Sequence, residues 1–134
     1  MRPSNMSNPE SNGRFVRKRK AIENEKMQIG LVPVTLDLLR NYGASDDSEL
    51  RIEFFFYTDT KTKAESLAKE IRNLQYEVET GKSAGRKNLF SITGWTTKMK
   101  MDDETVQQWT EHMCELAYKF DCEFDGWGTM PNQD

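Results

Sequence analysis

Apolar and polar positions change period several times along the chain, and each change marks an element. In RIEFFFY (Arg51–Tyr57), Ile52, Phe54 and Phe56 alternate with Glu53, Phe55 and Tyr57, the period of a strand. Beyond it, Ala64, Leu67, Ala68, Ile71 and Leu74 recur at helical spacing, and Thr62 with Glu65 fits a capping box at the start. Tyr76–Thr80 reads as a short strand, GKSAGRK as a glycine-rich turn, and Asn88–Thr96 as the strand that pairs back in a hairpin. A second helix opens at MDDETV, where Asp102, Asp103 and Glu104 suit the positive end of the helix dipole. Its apolar face is Val106, Trp109, Met113, Leu116, Ala117 and Phe120, and CEFDGW is the last strand.

The order βαββαβ with short connections, together with the right-handed crossover rule, predicts an α+β fold. It is a ferredoxin-like plait, a four-stranded antiparallel sheet with two helices on one face. A short N-terminal helix precedes it, TLDLLRNYG, with Leu36, Leu39 and Tyr42 on one face and Gly43 at its end. AIENEKMQ is compatible with a short helix of its own, which Pro33 interrupts. SDDSE is read as a loop.

Alternation divides the sheet residues between two faces. Ile52, Phe54, Phe56, Tyr76, Val78, Phe90, Ile92 and Phe124 fall on the helix side. The open side receives Glu53, Phe55, Tyr57, Glu77, Glu79, Leu89, Ser91, Thr93, Trp95, Glu123, Asp125 and Trp127, with Gly126 and Gly128 around the last tryptophan. An aromatic group set among carboxylates has three readings. The protein itself covers it, with the Thr35–Tyr42 helix packing across the face. Or it anchors a protein partner. Or it stacks RNA bases, as in the RNA-recognition motif. Glu53, Glu77, Glu79, Glu123 and Asp125 would repel phosphates, and neither FFFYTD nor RKNLFSIT fits that module's aromatic motifs. Pairing of two copies through the open face is a further reading.

Charge adds a division that the pattern does not show. The 134 residues carry a formal charge of −3, yet residues 1–30 hold seven Lys/Arg against three Glu. Residues 1–14 are rich in Ser, Asn, Pro and Gly, and the cluster Arg14, Arg17, Lys18, Arg19, Lys20 follows. Residues 1–28 are therefore read as a basic, disordered tail and 29–134 as one domain. Nucleic acid binding is directed to that tail, if anywhere, with the steep salt dependence of phosphate contacts.

No apolar run approaches the roughly 20 residues of a membrane span, and MRPSNMSNPESNG lacks the apolar segment of a secretory leader. Two cysteines, Cys114 and Cys122, suit a reducing compartment, so the expected location is cytoplasmic. GKSAG at 81–85 has the form G-x-S-x-G but joins two strands, whereas a nucleophile elbow joins a strand to a helix. Gly81-Lys82-Ser83 resembles the end of a phosphate-binding loop, but Tyr76 stands where the upstream glycine belongs. His112, Cys114 and Cys122 are three conceivable metal ligands, but His112 and Cys114, two apart on a helix, point in different directions. No catalytic residue, metal site or cofactor is assigned.

TLDLLRNYGASDD, RIEFFFYTDTKTKAESLAKEI, LQYEVE and the closing FDGWGT resemble the regulator of ribonuclease E activity B family over about residues 34–129. That resemblance implies a bacterial, cytoplasmic, non-catalytic regulator that binds a ribonuclease of the E/G type and lowers its cleavage of RNA. Asp125, Gly126 and Trp127 match the family's terminal motif. Glu53, Phe55, Tyr57, Trp95 and Glu123 complete the expected partner-binding face. The family's proteobacterial regulators carry an acidic N-terminal region, where this chain is basic.

Overall fold

The computed structural model of the chain describes residues 13–133. The elements run α1 (Lys18–Asn41), β1 (Glu49–Leu50), β2 (Glu53–Thr58), α2 (Lys61–Arg72), β3 (Glu77–Lys82), β4 (Phe90–Trp95), β5 (Met99–Lys100), α3 (Asp103–Lys119) and β6 (Glu123–Gly128). Four strands form one antiparallel sheet in the spatial order β3-β4-β2-β6. The architecture is α+β, with three helices among the described residues.

The alternation in β2 holds residue by residue: Phe54, Phe56 and Thr58 are buried, while Glu53, Phe55 and Tyr57 are half-exposed. Ile52, Phe54, Phe56, Val78, Ile92 and Phe124 form one core with Ala64, Leu67, Ala68 and Ile71 of α2 and Val106, Met113 and Leu116 of α3. Tyr76 and Phe90 pack at its margin. The β3–β4 hairpin forms as expected, in the register Glu77 opposite Trp95 through Lys82 opposite Phe90. Gly94 is required there. A Cβ on it would lie 1.9 Å from the Glu77 carbonyl oxygen and 2.7 Å from the Phe54 ring.

Three local expectations are corrected. The cap of α2 is Thr60, whose hydroxyl accepts from the Lys63 amide at 3.2 Å, and not Thr62 with Glu65. Both threonines are plausible caps, and the strand ending at Thr58 leaves room for the earlier one. SDDSE is not wholly loop, because Glu49 and Leu50 pair with Lys100 and Met99 in a separate two-stranded sheet. Pro33 does not stop α1, which is continuous for 24 residues. An interior proline costs roughly 3 kcal/mol, and burying Val32 and Leu36 beside it offsets this.

Residues 18–28, placed in the tail by composition, are the first half of α1; residues 1–12 lie outside the described residues. The start of α1 has no side-chain cap, and it is held from elsewhere. The Asp121 carboxylate, just beyond α3, accepts from the amides of Phe15 and Val16, both at 2.8 Å. It also takes Lys63 Nζ at 2.7 Å. Burial alone would raise the Asp121 pKa, but these donors hold it below the ordinary carboxylate range.

Candidate interaction face

The open side of the sheet is a set of cross-strand rows. One row runs Glu79, Thr93, Phe55, Gly126, and its neighbour runs Glu77, Trp95, Glu53, Gly128. A third is Gly81, Ser91, Tyr57, Glu123. Two glycines on β6 put no side chain of that strand beside Phe55 and Glu53: the flank is low at Gly128, while the Gln28 amide of α1 lies 3.6 Å from where a Cβ on Gly126 would stand.

Two arginines frame the face. The Arg51 guanidinium stands 5.8 Å from the Trp95 ring centroid, donates to the Thr96 carbonyl at 2.9 Å, and pairs with Glu77 at 2.7 Å. Arg86 lies 4.7 Å over the Tyr57 ring and 3.6 Å from Glu123. Each cation sits against the negative face of a ring and is neutralised by one carboxylate. The face carries three further carboxylates, Glu53, Glu79 and Asp125, so the acidic groups outnumber the two arginines that frame it.

The structure brings together Glu53, Phe55, Tyr57, Trp95 and Glu123, but not Trp127. Pairing of β2 with β6 shifts between Phe55 and Phe56: Phe56 faces Phe124, Phe55 faces Gly126, and Asp125 is the extra residue of a bulge. Gly126 adopts φ +115°, a conformation open to glycine and strained for other residues. The inserted residue reverses the alternation, so Trp127 lies opposite buried Phe54 and packs on the helix-side core. Its ring meets Trp109 of α3 edge to face at 6.4 Å. The protein does cover Trp127, though from the side opposite the one expected. Asp125 is exposed at the bulge.

Helix α1 does not cross the open face either. It packs on α3 and lies along the edge of β6, where Asn24 Nδ2 donates to the Phe124 carbonyl at 2.7 Å. This satisfies a backbone acceptor that an edge strand would leave free. Half-buried Phe55, Tyr57 and Trp95 thus remain uncovered by α1.

Of the basic cluster, Arg14 is committed. Its guanidinium donates to the carbonyls of Val16 at 2.9 Å and Tyr118 at 2.5 Å, and lies 4.1 Å over the Tyr118 ring. Arg17, Lys18, Arg19 and Lys20 are exposed at the start of α1.

A recess of about 480 Å³ lies between the start of α1, the end of α3 and β6, lined by Phe15, Met27, Tyr118 and Phe124 among others. Cys114 and Cys122 lie at its wall, and burial pushes both thiols up to about 12, so neither is a thiolate nucleophile near neutrality. His112 is exposed on α3, whereas Cys114 is buried. Among the described residues no three His, Cys, Asp or Glu side chains group as a metal site. No described helix is long and apolar enough to cross a membrane.

Residues 34–129 match the family model described as RraB, regulator of ribonuclease activity B. The matched segment begins in the second half of α1 and takes in every strand, α2 and α3. No curated protein matches the chain.

Proposed function

The chain belongs to the family of regulators of ribonuclease activity B, and from that premise we propose that it binds a ribonuclease of the E/G type and lowers endonucleolytic cleavage of RNA. It does so in the cytoplasm by protein–protein contact and without chemistry of its own. The observation that carries this is the family match over 34–129 together with an acidic, aromatic sheet face that the chain leaves open. The strand order β3-β4-β2-β6 and the two helices packed on one side support reading the fold as a ferredoxin-like plait.

The contact surface we propose is Glu53, Phe55, Tyr57 and Trp95, with Glu123, Asp125 and Gly126 beside them. Aromatic side chains framed by arginines supply rigid anchors, and the excess of carboxylates favours a basic partner surface. Trp127 serves the core and positions this face from behind.

The test is a cleavage assay with a purified nuclease of this type, run beside a binding measurement. Wild-type chain should bind and slow cleavage, and Trp95→Ala/Asp125→Lys should lose both while its circular dichroism stays unchanged. A folded double variant that inhibits as well as wild type removes the sheet face as the site.

The exposed cations at the start of α1 favour a second reading, in which the chain binds RNA directly. Replacing Arg17, Lys18, Arg19 and Lys20 by Gln would then abolish RNA binding and its salt dependence. Unchanged binding rejects that reading.

A further inference from the structure

Helix α1 has two apolar faces and uses one. Gln28, Val32, Leu36 and Leu39 are buried against the body of the protein. About a third of a turn away, Met27, Leu31, Val34 and Leu38 are between 45% and 61% exposed, Met27 also standing at the edge of the recess beside β6, and Tyr42 continues the stripe at 70%. These five account for most of the large apolar side chains exposed among the described residues, the others being Ile22 and Met130. Soluble monomers rarely leave a contiguous apolar stripe of this kind in water.

The stripe is spaced so that it complements itself. From Met27 to Leu38 the steps are four, three and four residues, and they read the same in reverse. Two such helices laid antiparallel about a two-fold axis set Met27 against Leu38 of the other copy and Leu31 against Val34. Every apolar position then meets an apolar one, as an isologous interface requires.

The charges agree with the same direction. Exposed Arg17, Arg19, Lys20 and Lys26 lie at and near the start of α1. Asp37 lies near its end, and Asp46 and Asp47 in the loop beyond. Asp37 and Asp46 pair with Arg40 of their own chain, yet 75% and 69% of their side chains remain exposed. Antiparallel pairing sets each basic end beside the other's acidic end, and brings Lys26 close to Asp37 across the axis. Parallel pairing would put like charges together. A 24-residue helix offers about 36 Å of seam, enough for several turns of contact.

We infer that the outer stripe of α1 is a homodimer seam, in which two copies pair antiparallel through Met27, Leu31, Val34 and Leu38. This leaves the open sheet face of each copy available, and it does not depend on the nuclease reading.

Sedimentation equilibrium of the full chain, with no nuclease present, tests it. Wild type should sediment as a dimer. Leu31→Glu, with its fold checked by circular dichroism, should raise the dissociation constant by about 30-fold or more. Trp95→Ala, on the sheet face, should leave the dimer intact. Lys26→Asp and Asp37→Lys should each weaken association, and the double variant should restore it. A wild-type monomer at every concentration overturns the inference, as does a dimer unmoved by Leu31→Glu or one lost with Trp95→Ala. Failure of the double variant to restore association overturns the antiparallel arrangement.

Discussion

The indole of Trp127 stands edge-on to that of Trp109, 6.4 Å between centroids and 88° between planes. A single inserted residue, Asp125, creates this relationship by turning the end of β6 toward the helices. The T-shaped pair, extended by Trp109 on Phe124 at 6.0 Å, closes the core under the low flank of the open face.

Replacing Trp127 by Ala should therefore destabilise the fold rather than merely remove a contact. The indole is half-buried, so the expected loss is roughly 2–3 kcal/mol, below that of a fully buried tryptophan. Trp95→Ala should cost less, about 1 kcal/mol, since its ring lies on the open face beside the Arg51 guanidinium and does not pack on the core. Urea denaturation of both variants checks the order; equal losses would contradict the assignment of the two tryptophans to opposite faces.

Gly94→Ala should be among the most damaging small substitutions. A methyl group 1.9 Å from the Glu77 carbonyl oxygen cannot be accommodated by a rotamer change, because the obstacle is backbone. Loss of about 3 kcal/mol or more is expected, at or beyond the top of the usual range for overpacking. Thermal unfolding followed by circular dichroism would show it as a large fall in midpoint.

Asp121 links stability to pH. Its native pKa lies below the ordinary value of 3.8, so the ionised carboxylate stabilises the fold fully above that value. The contribution fades as pH falls from there through the lower native pKa. Asp121→Asn should cost on the order of 2 kcal/mol at pH 7 by weakening the bonds to Lys63, Phe15 and Val16. Wild type and variant should converge in acid, and a difference that persists unchanged to pH 2 would contradict the ionic origin.

The two cysteines should resist modification until the protein opens. With both thiols buried and raised to about 12, a disulfide reagent at pH 8 should label neither Cys114 nor Cys122 in the native protein. Both should react in denaturant. Rapid native labelling of Cys114 would mean that α1 lifts from α3 on its own.

The sequence by itself determined β2, α2, β3, β4, α3 and β6 and most of the core, but not β1, β5 or the first half of α1. Period-two alternation in Ile52–Tyr57 and helical spacing in Ala64–Ile71 and Val106–Ala117 are local consequences of burying one face, so they are visible without a fold. They also settle the facing of Phe54, Phe56, Ile92 and Phe124. The aromatic and acidic residues of the open face follow from the same alternation as far as β6. There the tertiary structure decided. Counting by twos from Phe124 cannot reveal that β2 skips Asp125, because a bulge is a property of the pairing of two strands. The continuity of α1 through Pro33 was hidden for a related reason. The proline's cost is local, while the burial of Val32 and Leu36 that offsets it comes from the surrounding fold, distant in sequence. Asp121 shows the same limit, since nothing near Cys122 announces that its carboxylate will anchor Phe15 and Val16, more than a hundred residues away.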